Sequence, residues 1–249
     1  MQDNSTRGER TVFWLKAVFV VTVLFALSLI PLYLNGIESL ANTGDLSQVP
    51  EAGEMMLSVL QSLFALLALA VVFCVLSIFW AMWLYRSEEN LRRFAKTSFS
   101  PWGAVFCTLF FSFIPIAGPI LDYLIFRELL NGYERVLSAK GVEYVPSGRR
   151  ALNAVLVLSL LSEILCFFSF TACDVAGGIA SLATIVAAIR LVRDVMAYEK
   201  PLFAFDQDTV LRRKVDEVLR EREIEKAAAE VREATYGSDA VPPADKTDR

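Results

Sequence analysis

Four long apolar stretches constrain the fold of this chain more than any other feature of its sequence. They cover about residues 12–34, 55–84, 151–170 and 174–192, and few charged residues interrupt them. An α-helix rises about 1.5 Å per residue, so about 20 apolar residues span a hydrocarbon layer of ~30 Å. A soluble domain of 249 residues would instead spread its apolar residues in short periodic sets. The pattern predicts an all-α integral membrane protein with four transmembrane helices.

A shorter apolar segment between the second and third predicted crossings has a different pattern. Ser100-Pro101 is typical of an N-cap followed by a proline at the first helical position. Only about 20 Å of helix follows before Pro115, Gly118 and Pro119 interrupt the backbone, which is too short to cross a bilayer. Beyond them the apolar side chains share one face of an amphipathic helix. We therefore predict a re-entrant or interfacial helical hairpin over about residues 101–138.

The two ends of the chain are polar, which predicts that they lie outside the bilayer. Residues 1–10 form a short N-terminus, and residues 11–200 form the membrane domain. The first apolar stretch is longer than the core of a signal peptide, which favours an uncleaved helix over a cleaved signal. Residues 201–249 form a soluble charged tail, which is expected to be helical over about 208–235 and disordered after 236.

Short motifs in the centre of the chain carry a family resemblance. They are Trp83-x-Tyr85-Arg86, Asn90-Leu91, Ser100-Pro101, Phe113-Ile114-Pro115-Ile116 and Glu128. With these motifs, residues 55–195 resemble a bacterial family of membrane domains known as domain-of-unknown-function family 4328. The chain departs from the family pattern at Ala117-Gly118-Pro119, where the family is longer. The resemblance implies a multi-pass bacterial membrane protein, and it implies no reaction, ligand or catalytic residue.

The distribution of basic residues predicts the orientation in a bacterial cytoplasmic (inner) membrane. If residues 101–138 return to their own side, the basic residues between 127 and 150 lie on the same side as both termini. The outer loops 35–54 and 171–178 then contain no Lys or Arg. Lys and Arg in short loops favour the cytoplasmic side, so both termini are expected to be cytoplasmic. The alternative is that residues 102–126 span the membrane as a kinked fifth crossing.

Three polar residues are candidates for a cluster where the second helix meets the hairpin. They are Arg86, Asn90 and Glu128. Charges at the membrane interface cost much less than charges at its centre, so an ion pair that only pins the hairpin is the simpler interpretation. A functional cluster is the alternative.

Glu163 is a sharper candidate because it is the thirteenth residue of the predicted crossing that Ala151 begins. A carboxyl at that depth needs a partner and is a hypothesis for function. Arg190 is the basic residue to consider as its partner. However, Glu163 should lie level with about Thr184, and Thr184 is roughly 9 Å of helix rise from Arg190. A hydroxyl or a backbone group is the alternative partner.

The sequence contains no recognisable catalytic, cofactor-binding or metal-binding pattern. There is no His, the four Cys form no CxxC pair, and no glycine-rich phosphate loop occurs. We expect no cofactor, and an enzyme is the less favoured class. A non-enzymatic membrane scaffold, or a component that binds lipid or a protein partner, is the first hypothesis. The alternative is a small transporter or channel that uses the broken helix at 115–119, since broken helices line cavities in transporters.

The expected partners are therefore the lipid bilayer and a protein bound by the C-terminal helix, and no feature indicates nucleic acid. The interleaved acidic and basic residues of that helix are typical of a solvated surface. Binding of a protein partner is the sharper interpretation of the same pattern.

The hairpin model predicts which residues a membrane-impermeant thiol reagent reaches in intact cells. A cysteine at Lys140 should be shielded, because the hairpin keeps it on the cytoplasmic side, whereas a cysteine at Asp45 should react. Labelling of Lys140→Cys from outside would contradict the hairpin and support a fifth crossing. The background for both variants lacks the native cysteines, Cys74, Cys107, Cys166 and Cys173.

Overall fold

The computed structural model describes residues 1–41, 52–111, 114–145, 148–168 and 171–236 of the chain. Over these ranges the chain forms α-helices joined by short turns. The helices are α1 (Ser5–Ala41), α2 (Ala52–Arg92), α3 (Pro101–Phe110), α4 (Ala117–Lys140), α5 (Arg149–Phe167) and α6 (Thr171–Tyr236).

Four of these helices contain stretches that are long and apolar enough to cross a membrane. The stretches lie in α1, α2, α5 and α6, whereas α3 is apolar but only 10 residues long. Large apolar side chains such as Phe13, Leu24, Leu57 and Phe64 are exposed along α1 and α2, as expected for a surface that faces lipid. The chain is an all-α membrane protein, as the sequence predicts.

The chain divides into two units, Met1–Phe203 and Ala204–Arg249. Within the second unit the described residues are helical to Tyr236, a range that includes the predicted helix at about 208–235. The disorder predicted after 236 falls outside the described residues.

Local sequence signals fix the ends of the hairpin helices. Ser100 caps α3, since its Oγ accepts a hydrogen bond from the Gly103 N–H at 2.9 Å, and Pro101 follows as the first helical residue. Gly141 ends α4 in the left-handed conformation with φ of 65°, where its N–H bonds to carbonyls of the last turn.

The break between the two hairpin helices is shifted from its predicted position. Helix α3 ends at Phe110 and α4 begins at Ala117, so Pro115 lies in the break. Gly118 and Pro119 instead belong to the first turn of α4. A proline is tolerated there because the first N–H groups of a helix have no partner within it.

Two loops predicted from the sequence are also shorter than expected. Helix α1 extends to Ala41 and α2 begins at Ala52, inside the predicted loop 35–54. The predicted loop at 171–178 is wrong, because α6 begins at Thr171 and these residues are helical. Gly177 serves close helix packing instead, since a Cβ added to it would lie 3.1 Å from Cys166 Sγ.

In the first unit, neighbouring long helices run antiparallel and are joined by hydroxyl groups. Thr11 Oγ1 donates to the Phe79 carbonyl at 3.2 Å, and Ser62 Oγ donates to the Ser28 carbonyl at 3.5 Å, which aligns α1 with α2. In α5 and α6, the hydroxyl oxygens of Ser162 and Ser181 lie 2.6 Å apart.

The start of α3 and the end of α4 lie at the same end of the first unit. At the start of α3, the Trp102 ring lies 5.0 Å from that of Tyr85 at the end of α2. In the second half of α4, the Tyr133 hydroxyl lies 2.8 Å from the Ser87 carbonyl, again near the end of α2. The pair therefore forms a helix–break–helix hairpin that returns to the end from which it started.

Four buried polar side chains gather at this end, and we call them the polar cluster: Asn4, Ser87, Tyr133 and Glu199. Asn4 Nδ2 donates to Ser87 Oγ at 3.0 Å and lies 3.3 Å from Glu199 Oε2. The Tyr133 hydroxyl lies 2.8 Å from Glu199 Oε1. Burial, and then the charge of Glu199, raise the pKa of the Tyr133 phenol well above its ordinary value, so the hydroxyl keeps the proton that it donates.

The polar cluster holds the hairpin against α2 and α6. We expect Tyr133→Phe to lower the free energy of unfolding by about 2 kcal/mol, because it leaves the buried Glu199 carboxyl with one donor fewer. Denaturation in mixed micelles, followed by tryptophan fluorescence, measures the change.

The matched control is Tyr144→Phe, whose hydroxyl bonds Ser138 Oγ at 3.0 Å on an exposed surface. Its loss should cost less than about 0.5 kcal/mol, since water replaces an exposed bond. Equal losses in the two variants would contradict a stabilising role for the polar cluster.

Candidate functional site

A cavity of about 650 Å³ lies between the helices of the first unit. Helices α1 to α6 all contribute to its wall, which is mostly apolar. This volume falls in the range of sites that enclose small organic ligands. The polar residues that line the cavity carry carboxyl or hydroxyl groups: Thr22, Ser77, Thr108, Asp122, Ser159, Ser162, Glu163, Ser181 and Thr184.

Glu163 connects this cavity to the break in the hairpin. Its Oε2 accepts a hydrogen bond from the backbone N–H of Ile116, with the two atoms 2.6 Å apart. Ile116 is the residue before α4 and has φ of 65°, which is strained for a β-branched side chain. A carboxylate from α5 thus satisfies a backbone donor that the start of α4 leaves without a helical partner.

The position of Glu163 is also favourable electrostatically. The N-terminus of a helix carries partial positive charge, so a carboxylate is stabilised there. Glu163 lies fourteen residues after Arg149 begins α5, about 21 Å along the helix axis. The hairpin therefore reaches deep into the helical unit before it turns, and Glu163 contacts its turn.

Asp122 brings a second carboxyl to the same cavity. It lies in the second turn of α4, six residues after Ile116 and about 9 Å along the helix axis. Thr108 of α3 lies beside it. Asp122 Oδ1 is buried, and among the described residues no hydrogen bond to this atom is found. A buried oxygen of this kind is suited to accept a hydrogen bond from a ligand.

The ionisable groups that line the cavity are acidic. Its wall carries the two carboxyl groups, and no Lys or Arg is found among the lining residues that the structure describes. Hydroxyl groups can donate or accept, but two carboxyl groups without a basic partner favour a cation or a proton donor. In the described part of the chain, no three metal-ligating side chains come together.

The three residues predicted to cluster near the hairpin have separate partners. Arg86 pairs with Glu89 on its own helix. Asn90 is buried and bonds the backbone of Gln2, with its Nδ2 donating to the Gln2 carbonyl at 3.0 Å. Glu128 accepts a hydrogen bond from the Ser98 N–H, so it fastens α4 to the connection before α3.

Arg190 is not the partner of Glu163. Arg190 is exposed, whereas Glu163 accepts a hydrogen bond from the Ile116 N–H in the hairpin. The antiparallel alignment of α5 and α6 explains why Glu163 and Arg190 lie apart. Ser162, next to Glu163, lies beside Ser181, which is nine residues before Arg190. Of the predicted site residues, the structure brings Glu163 and the break at Pro115 together. Gly118 and Pro119 lie just beyond, in α4.

Sequence reasoning missed Asp122 and the polar cluster as candidates. Asp122 lies on the polar face of an amphipathic helix, where a carboxyl is expected to meet water. Its position within a hairpin predicted to enter the membrane is the signal that could have distinguished it. Asn4 lies in the polar N-terminal stretch and Glu199 lies beside Lys200 after the last predicted crossing, so neither residue carries such a signal.

Comparison of the chain with protein-family models, with curated proteins and with solved structures gives no match.

Proposed function

We propose that this protein is a small transporter that takes an organic cation into the cavity between its membrane helices. The observation that carries the proposal is the hydrogen bond from the Ile116 N–H to Glu163, at a helix break beside a cavity that also holds Asp122. Broken helices with exposed backbone groups form substrate sites in transporters, and carboxyl groups in a membrane are typical of ion and proton pathways.

Charge is the reason to expect a cation. A cationic group about 4 Å from one carboxylate gains roughly 4 kcal/mol at an effective dielectric constant of about 20. Two carboxylates in one cavity repel each other when both are ionised, and a bound cation relieves that repulsion. The apolar part of the wall favours an organic cation over a hydrated metal ion.

The hydrogen bond between Glu163 and Ile116 couples ligand binding to a conformational change of the hairpin in this proposal. A cation that pairs with Glu163 competes with the Ile116 N–H for the same carboxylate. Loss of that bond frees the strained start of α4, and the hairpin changes position around the bound ligand. The proposed location is the bacterial cytoplasmic membrane, with both termini cytoplasmic and the hairpin opening from that side.

Two ions of matched shape and opposite charge test the binding site. We expect the purified protein in neutral nanodiscs to bind tetraphenylphosphonium and not tetraphenylborate, measured by equilibrium dialysis. Glu163→Gln and Asp122→Asn should each weaken binding of tetraphenylphosphonium at least about tenfold, equivalent to about 1.4 kcal/mol. Both substitutions keep side-chain shape, so binding is compared in proteins of similar packing.

The control for charge alone is Glu143→Gln, since Glu143 is exposed and does not line the cavity. It should change the affinity less than about twofold. Similar binding of the two ions, or an equal effect of the three substitutions, would contradict a cation site. Flux of the bound cation in liposomes then separates a transporter from a protein that only binds it.

A second candidate function is partner binding by the charged helix of the second unit, and a separate observation favours it. All side chains from 211 to 232 are exposed, including several large apolar ones. Isolated apolar residues on a surface are common, but a series along one helix provides contacts for another helix. The exposed large apolar side chains are Val210, Leu211, Val215, Val218, Leu219, Ile224 and Val231.

Removal of residues 205–249 tests this second function. We expect proteins that co-purify with the full-length chain to be lost from the truncated one, while transport of the cation is retained. A variant with Leu211, Val215, Val218 and Leu219 all changed to Ser should lose the same proteins, and one with Glu217→Gln should retain them. An unchanged set of proteins would exclude partner binding by this helix.

A further inference from the structure

Two adjoining cavities open beside α4, outside the site described above. One has a volume of about 380 Å³ and lies between α4 and the connection at residues 95–98. The other has a volume of about 340 Å³ and lies between α4 and the start of α5. Arg127 and Asn131 line both cavities, so the two cavities meet at these side chains.

The charged residues that line these cavities are mostly basic. Lys96, Arg127 and Arg135 line the first cavity together with one acid, Glu128. The Glu128 carboxylate accepts a hydrogen bond from the Ser98 N–H. Among the described residues, no ion pair or hydrogen bond is found for the side chains of Lys96, Arg127 or Arg135. Three cationic side chains therefore remain available for an anion.

The second cavity contains a basic residue that is held in place. Arg149 Nη2 lies 2.7 Å from Glu134 Oε2 and 3.3 Å from Asn131 Oδ1. Because Asn131 accepts through its oxygen, its amide nitrogen remains a donor toward the cavities that it lines. An anion at the junction meets the Arg127 guanidinium and this amide donor together.

The surroundings favour a lipid over a soluble anion or an acidic peptide. Leu124 lines the first cavity and is exposed, and Ile120 is exposed one turn earlier on the same helix. From these residues α4 continues to the apolar hairpin break, so apolar surface leads away from the basic cavities. A phosphate attached to acyl chains matches basic groups beside exposed apolar side chains, which is the arrangement of lipid headgroup sites.

We propose that the two cavities form a binding site for the headgroup of an anionic phospholipid, with its phosphate held by Arg127, Lys96 and Arg135. The glycerol backbone then lies near Leu124, and the acyl chains follow the exposed apolar side of the hairpin. Arginine is suited to this task because its planar guanidinium donates two parallel hydrogen bonds to phosphate oxygens. The site is independent of the central cavity and of the proposed transport.

Titration of the protein in neutral detergent micelles with short-chain lipids tests the site. Dioctanoyl phosphatidylglycerol should bind at least about tenfold more tightly than dioctanoyl phosphatidylcholine, as measured by isothermal titration calorimetry. Arg127→Gln should reduce the affinity for phosphatidylglycerol about tenfold, and Arg135→Gln should reduce it severalfold. Arg127 and Arg135 are exposed, so both variants are expected to fold, and circular dichroism verifies that they do.

The matched control is Arg150→Gln, which removes the same charge from an exposed residue that lines neither cavity. It should change the affinity less than twofold. Equal affinity for the two lipids would overturn the proposal, as would an equal effect of Arg127→Gln and Arg150→Gln. If glycerol 3-phosphate or a glutamate-rich peptide binds as tightly as phosphatidylglycerol, the ligand is a soluble phosphate or a protein, and the lipid assignment is wrong.

Discussion

The placement of the hairpin depends on a small set of buried hydrogen bonds at one end of the first unit. Tyr133 of α4 is held between the Ser87 carbonyl and the Glu199 carboxyl, and Asn4 closes the same group from the N-terminus. Burying these polar groups costs several kcal/mol unless each finds a partner, so the arrangement tolerates little displacement. Once Tyr133 is fixed, the helical rise of α4 determines how deep its other end lies.

That depth explains why Glu163 meets the hairpin turn. From Tyr133 back to Ile116 is seventeen residues, or about 25 Å of helix. Arg149 pairs with Glu134 near the same end, and about 21 Å of α5 separates it from Glu163. The two lengths nearly agree, so α4 and α5, packed side by side, bring the Ile116 N–H and the Glu163 carboxylate to similar depth. The polar cluster thus controls the geometry of a site at the far end of the hairpin.

Helix identity and approximate length followed from the sequence because they depend on local properties. Apolar runs, the Ser100-Pro101 cap and the Gly141 terminus each act over a few residues, and the structure confirms all three. The loop predicted at 171–178 was wrong because a glycine serves helix packing as readily as it serves a turn, and Gly177 packs against α5. The partner of Glu163 could not be predicted, since Ile116 lies 47 residues away in the sequence and the contact depends on how α4 and α5 are rotated and aligned. Burial of Asp122 depends in the same way on tertiary packing.

The distribution of charge along α4 links the two proposed sites. Asp122 faces the central cavity, beside Glu163 of α5, whereas Arg127 and Arg135, further along the same helix, line the basic cavities. Acidic groups placed deep among helices cost more than basic groups at a surface, because only the latter keep part of their water. Packing alone therefore does not explain why acidic side chains lie at these positions. On these two proposals, one amphipathic helix would serve both interactions, with Asp122 facing the cavity and with Arg127 and Arg135 facing the lipid headgroups.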